Sequence, residues 1–281
     1  MQIETTSDSR GYGHFTPSVL MRGIIAATRG CDASWSGKRK AFLLRGLGLR
    51  LLGEKPVDIE VMGAKMRLHP SNNTCEKRIL FTPQYFDALE REALAPLLGD
   101  GLVMLDIGAS MGGYSLWAAG LAGAGARIIA VEPEPQSFAR LCFNIAANGH
   151  GSIKAVNAAL SDVAGHMRLF TDRRNLGGTG VRIGFNSDGT DQGFDVPAVP
   201  LLQLVESEGL GHIDILKLDV EGVEDIVLLP FLNDAQTSLL PGVIVLNRLG
   251  HRWTGDVVGA LEKLGYQLTT STVSNEIWRR S

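Results

Sequence analysis

LVMLDIGASMGGYSLWAAGLAGAGARIIAVEPE, residues 102–134, decides the fold of this chain. Leu102 to Ile107 is an apolar run broken only by Asp106, the pattern of a buried parallel strand with a carboxylate near its carboxyl tip. Gly108, Gly112 and Gly113 make a turn, and the small residues from Tyr114 to Gly123 predict a helix. Arg127 to Val131 is a second buried strand that ends in Glu132. Strand, glycine turn, helix, strand and acid place a helix N-terminus and bare backbone at the carboxyl edge of a sheet. Open α/β sheets bind ligands at that edge.

The turn separates one nucleotide ligand from another. A dinucleotide fingerprint needs G-x-G-x-x-G so that backbone approaches a pyrophosphate. Here Ser110 stands where the second glycine belongs, and Asp106 sits where it repels a diphosphate and attracts an ammonium. The ligand implied is an adenosine with a cationic amino-acid tail, which S-adenosylmethionine is. Glu132 then accepts hydrogen bonds from both ribose hydroxyls.

Outward from this stretch, strands alternate with helices. Before it, Val57 to Pro70 alternates around Gly63 as a hairpin, and Asn72 to Thr82 reads as a connection. Gln84 to Leu98 has the apolar spacing of one continuous helix. After it, Pro133 and Pro135 start a helix through Asn148, with Cys142 on its apolar, core-facing side. Ile153 to Leu160 is a third strand, with backbone near Ala158 to Ser161 expected beside the adenine. Val163 to Thr171 extends from it, and residues 172–194 form a long glycine-rich loop, either a substrate-facing lid or a surface insertion. Val196 to Ser207 holds a short strand and a helix. Ile213 to Leu218 is a buried strand, with a helix after it that stops at Pro230. Val243 to Leu246 is the fifth strand, Asp256 to Leu264 a helix, and Tyr266 to Thr270 with Glu276 to Arg280 a terminal pair. The expected architecture is a doubly wound α/β sheet, mostly parallel with an antiparallel terminal strand pair.

Composition agrees with an ordinary globule: 44% hydrophobic, 20% charged and net charge −3. Nothing global asks for nucleic acid, and no aromatic-interleaved basic stripe marks a nucleic-acid groove. Residues 1–55 carry nine Lys/Arg against four Asp/Glu, a net of +5 against −8 for the remainder. Within them KRKAFLLRGLGLRLLG is a basic amphipathic stretch. It reads as a lid helix with a solvated basic side, or as a surface for an anionic substrate, an acidic carrier or a membrane face. The division expected is 1–55 as an N-terminal accessory or lid segment, a candidate oligomer contact, and 56–281 as the cofactor-binding domain. No run reaches the roughly 18–20 apolar residues of a membrane span. Three cysteines without ligand spacing, and a polar start unlike a signal peptide, fit a cytoplasmic protein.

Asp106, Glu132 and Asp219-Val-Glu221 converge on one sheet edge, and Lys217 shares a strand face with Asp219. Methyl transfer from a sulfonium needs orientation and, for a hydroxyl acceptor, a base. Asp219, Glu221 and His251 are the catalytic candidates. Asp219 holding the cofactor tail, Glu221 capping the next helix and His251 lying in solvent are the plainer readings. The expected cofactor contacts are Asp106, Gly108, Ser110, Gly112, Tyr114, Glu132, Pro133, Ala159 and Asp219. No metal ligand set is expected. A nucleotide-dependent oxidoreductase on a similar fold and a non-catalytic cofactor-binding module are the rival readings.

Four blocks resemble those of the FkbM-type methyltransferases: DIGASMGGYS (106–115), VEPEPQSFARLCFNI (131–145), AALSDVAG (158–165) and ILKLDVEGVED (215–225). The resemblance spans about 56–280. It implies a class I, Rossmann-like fold using S-adenosyl-L-methionine and releasing S-adenosyl-L-homocysteine. It also implies methyl transfer to a hydroxyl of a small acceptor such as a sugar or polyketide. Carried over, Asp106, Gly108, Ser110 and Gly112 hold the cofactor tail, Glu132 the ribose, and Asp219 and Glu221 stand at the reaction edge. The family commonly has Asn at the position of Ser110 and Glu at that of Asn247.

Overall fold

The computed structural model describes residues 10–171 and 192–281. At its centre is a sheet of seven strands: β3 (Val103–Ile107), β4 (Arg127–Val131), β5 (Ile153–Val156), β9 (Ile215–Leu218), β10 (Val243–Asn247), β11 (Tyr266–Ser271) and β12 (Asn275–Arg280). Across the sheet they lie in the order β11-β12-β10-β9-β3-β4-β5. β3, β4, β5, β9 and β10 are mutually parallel, and β12 runs antiparallel to both β10 and β11. The chain leaves β3 toward β4 and later returns to β9 on its other side. That reversal puts a crevice at the carboxyl ends of β3 and β9. This is the class I, Rossmann-like sheet, with its one reversed strand near the edge.

Period-two alternation splits the buried residues into two cores. Met104, Ile128, Ala130, Ile215 and Val245 face one side, with α5 (Gly113–Ala122), α3 (Thr74–Phe81), α1 (Val19–Arg29) and the hairpin of β1 (Val57–Val61) and β2 (Ala64–Leu68). Leu105, Ile129, Val131, Leu216 and Ile244 face the other, against α7 (Leu201–Ser207), α8 (Glu224–Asp234) and α9 (Val257–Lys263). α6 (Pro135–Asn148) packs against β2 and β5, and its Asn144 and Asn148 side chains bond the backbone of Arg67 and Lys65. A separate three-stranded sheet joins β6 (Ala159–Ser161), β8 (Gln192–Pro200) and β7 (Gly165–Thr171). The basic stretch of the N-terminal segment is α2 (Trp35–Leu52), which packs against α1. Gly48 allows the close approach, because a Cβ there would lie 2.7 Å from the Phe81 ring of α3 and 3.2 Å from Ile24 Cγ2 of α1.

Several local expectations fail for identifiable reasons. Asn72 to Thr82 is not a connection but α3, capped by Asn73, whose side chain accepts from the Glu76 N–H. Gln84 to Leu98 is not one helix. It is a 3₁₀ turn (Pro83–Tyr85), α4 (Ala88–Leu94) and a second 3₁₀ turn (Ala95–Leu97), interrupted by Asp87 at φ +42° and Pro96. Ile153 to Leu160 divides between β5 and β6, which belong to different sheets. Cys142 is exposed; Arg140, Leu141 and Asn144 form the buried side of α6 instead. Pro230 lies inside α8 rather than ending it. Residues 192–194 of the expected loop belong to β8, and residues 172–191 lie outside the described residues.

Candidate functional site

The carboxyl ends of β3 and β9 approach so closely that only glycine fits between them. Gly108 has φ +78°, and a Cβ on it would lie 2.1 Å from the Asp219 carbonyl oxygen. Two residues earlier, Asp106 is buried on the α5 side of the sheet. Its Oδ2 accepts from the Ser115 N–H (3.1 Å) and hydroxyl (2.6 Å) in the first turn of α5. Its Oδ1 is buried without a hydrogen-bond partner among the described residues, 3.8 Å from Lys217 Nζ. Ser110 takes a left-handed φ of +51° and donates its N–H to Glu132 Oε2 at 2.8 Å, while its own buried hydroxyl has no partner among the described residues. Glu132 Oε1 accepts from the Glu134 N–H at 2.9 Å, so backbone pins both carboxylate oxygens. Burial pushes the Glu132 carboxyl up to about 7, against the opposing pull of these two N–H groups.

The β9 end is built from side chains. Burial opposes a charged Lys217, but Asp219 and then Asp106 outweigh it and hold the ammonium above the usual lysine range. Lys217 Nζ lies 3.4 Å from Asp219 Oδ2, and Asn247, at the tip of β10, donates its amide to Asp219 Oδ1 at 2.8 Å. The next turn carries Glu221 at φ +60°. Glu224 holds that turn by accepting the Val220 and Gly222 N–H groups, and Arg252 donates to the Glu221 carbonyl. Burial first, then the charges of Asp219 and Glu224, push the Glu221 carboxyl up to about 7.

The third wall comes from the N-terminal half. The Tyr114 hydroxyl donates to Asp87 Oδ2 at 3.1 Å, and Arg78 holds Asp87 Oδ1 at 2.9 Å. Lys217 Nζ lies 5.1 Å from the centre of the Tyr114 ring, within cation–π range. The cleft between these walls has about 1030 Å³ of non-atom space, part of it open solvent.

Of the residues singled out in the sequence, Asp106, Gly108, Ser110, Tyr114, Glu132, Pro133, Ala159, Asp219 and Glu221 line this one cleft. Two stand apart. Gly112 is the left-handed N-cap of α5, where a Cβ would meet Leu141 Cδ1 at 2.8 Å, and it does not line the cleft. His251 is exposed in the turn Gly250–Arg252 and lines no part of it; its neighbour Arg252 is the one that reaches the Glu221 turn. Sequence reasoning missed Cys75, Phe86 and Asp87, all of which line the cleft. For Asp87 a signal exists, because Asp-Ala-Leu-Glu90 matches a helix-start pattern that breaks the long helix. Among the described residues no three His, Cys, Asp or Glu side chains are grouped to hold a metal ion.

Comparison with curated proteins finds no match. Among solved structures the chain is similar to a precorrin-6y C5,15-methyltransferase from Geobacter metallireducens (19% identity, 71% of this chain and 90% of that one, TM-score 0.44). It is also similar to Trm5b from Pyrococcus abyssi (12%, 81% and 56%, TM-score 0.43) and to a METTL16 methyltransferase domain (14%, 94% and 92%, TM-score 0.49). At these values the likeness says nothing about ligand or acceptor. The family model of the FkbM methyltransferase domain, by contrast, matches residues 106–268, which is more than half of the chain and includes the cleft from Asp106 to the Asn247 turn. This protein belongs to the FkbM methyltransferase family and is a methyltransferase whose methyl donor is S-adenosylmethionine.

Proposed function

We propose that the enzyme is an O-methyltransferase, moving the methyl group of S-adenosylmethionine to a hydroxyl of a small acceptor such as a sugar, polyketide or related natural product. The observation that carries this reading is Glu221. It is a half-buried carboxyl on the cleft wall with its proton affinity raised to about 7, a value matched to a general base working near neutral pH.

The residues present fit the cofactor. Asp106 Oδ1 and Ser110 Oγ are buried polar atoms of cleft-lining residues, without partners among the described residues, suited to an ammonium and a carboxylate or hydroxyl respectively. Each Glu132 oxygen retains a lone pair beyond its backbone bond and can accept a ribose hydroxyl. Tyr114 bounds the tail's position, while Pro133 and Ala159 bound the base. Gly112 serves by starting α5. When bound, the cofactor supplies an electrophilic methyl on a positively charged sulfur.

This chain's own residues then do three things. Glu221 accepts the acceptor hydroxyl's proton on a carboxylate oxygen as the hydroxyl oxygen becomes nucleophilic. Lys217 and Asn247 hold Asp219 in one orientation, so that it positions the acceptor next to Glu221. Phe86, Tyr114 and Ile79 provide apolar wall that excludes water from the reaction edge. The free thiols of Cys31, Cys75 and Cys142 fit a reducing cytoplasm.

The first experiment is calorimetric titration with S-adenosylhomocysteine, with NAD as control. Micromolar-range binding of the first alone is expected. Methyl-labelled cofactor offered with hydroxyl, amine and thiol acceptors then tests the reaction: label on a hydroxyl supports the proposal, and label only on nitrogen, carbon or sulfur overturns it.

A further inference from the structure

The hairpin of α1 and α2 carries no acidic residue within its helices: VLMRGIIAATR and WSGKRKAFLLRGLGLRLL contain neither Asp nor Glu. Only Ala41 and Gly48 of α2 are fully buried, so most of this 18-residue helix faces outward. Arg39, Leu43, Leu47 and Leu51 follow one another at four-residue spacing and therefore share a face. Leu43 is 70% exposed, and Trp35 one turn before Arg39 is 75% exposed. Arg50 and Lys40 flank this leucine row on the outward side, and both are exposed. The Arg39 guanidinium lies 5.2 Å from the Trp35 ring and that of Arg45 4.5 Å from the Phe42 ring, so cation and apolar surface are layered together. An outward row of leucines and a tryptophan this large is uncommon on a surface that meets only water.

We propose that α2, steadied by α1, docks this enzyme on a bilayer surface rich in anionic phospholipid. Charge complementarity selects that occupant. The outward face of α2 is basic and apolar with no acid within the helix, the one nearby acid, Asp32, being engaged by Ser34 at its N-cap, and such a face matches phosphate headgroups above acyl chains. A second copy of this chain does not match, because a two-fold contact would set Arg39, Lys40 and Arg50 against themselves. A nucleic acid would leave the leucine row unburied. No helix among the described residues is long and apolar enough to cross a membrane, so the contact is one of lying on the surface. The docked hairpin adjoins the cleft. The Tyr85 hydroxyl donates to the Cys31 carbonyl and the Gln84 amide to the Thr28 carbonyl, and the next residues, Phe86 and Asp87, line the cleft.

The test is co-sedimentation of the full chain with vesicles of phosphatidylcholine alone or with one-third phosphatidylglycerol, at low and high salt. The proposal expects binding to the anionic vesicles only, weakened by salt. R39Q with R50Q should lower the partition by roughly thirtyfold at about one kilocalorie per basic residue removed. L43E with L47E should abolish it at either salt concentration. Unchanged thermal unfolding and S-adenosylhomocysteine affinity will show that both variants are folded, because neither pair touches the cleft. Absence of vesicle binding overturns the proposal. So does equal binding of wild type and both variants, or a stable dimer in solution that L43E/L47E dissociates.

Discussion

The two halves of the cleft are made differently. On the β3–β4 side, Asp106 and Glu132 are fully buried, and backbone N–H groups fix three of their bonds. On the β9–β10 side, Asp219 and Glu221 are half-buried, and side chains from Lys217 and Asn247 orient Asp219. Backbone geometry depends on the turn alone and survives most substitutions. Side-chain geometry changes with each residue that supplies it. The first arrangement suits a part that is the same in every turnover, the cofactor. The second suits the part that must be tuned to one acceptor and carry the proton.

The sharpest way to break this division is E221Q. At saturating cofactor it should lower kcat about a hundredfold or more while S-adenosylhomocysteine affinity stays within twofold. Wild-type turnover would remove Glu221 from the chemistry. The pH profiles sharpen the same point, because Glu132 and Glu221 are both raised to about 7. Each is protonated below that value and ionised above it. The kcat at saturating cofactor should therefore fall tenfold per pH unit below 7 in the wild type and lose that limb in E221Q. Cofactor affinity should weaken over the same range through Glu132 and keep that dependence in E221Q. If both limbs vanish together, the halves are not separate.

D106A should weaken S-adenosylhomocysteine binding by about a hundredfold, the size of a buried charge-assisted bond and ion contact. Unchanged affinity would show that the unpaired Oδ1 faces no ligand. N247A frees Asp219 Oδ1 and should cost about tenfold in kcat, with cofactor affinity nearly unchanged. An equal loss in cofactor affinity would assign Asn247 to the wrong half. The smallest effect expected is from S110A, about threefold in cofactor affinity, because the backbone N–H that holds Glu132 remains. The Ser110 hydroxyl alone is removed.

The β3–β4 half is also the half most legible in the amino-acid sequence. Its determinants are contiguous: apolar strand, Asp106, glycine turn, second strand and Glu132 lie within residues 102–132. The β9 strand, the order of the alternating elements and the convergence of Asp219 with Asp106 follow from the same local patterns and the rules of parallel sheets. Asp87 is legible only as a helix start within 84–98; its left-handed backbone and its bonds to Arg78 and Tyr114, which bring it to the cleft, are tertiary. His251 is a further case. Its position after the fifth strand suggests the cleft, but the turn Gly250–Arg252 directs Arg252 toward Glu221 and leaves the histidine in solvent.

Local sequence alone therefore determined the doubly wound sheet, the family and the edge at which the cleft lies. Hydrophobic periodicity and glycine turns act over a few residues, and the right-handed crossover leaves the sheet little freedom. Only the tertiary structure decided which side chains meet across that edge. Asn247 reaches Asp219 over 28 positions, and Tyr114 reaches Asp87 over 27. It also decided that α2 turns its leucines outward, because which side of an all-basic, apolar helix is buried depends on what α1 and Phe81 leave uncovered. Contacts of that kind rest on packing between distant segments, and no spacing within a segment encodes them.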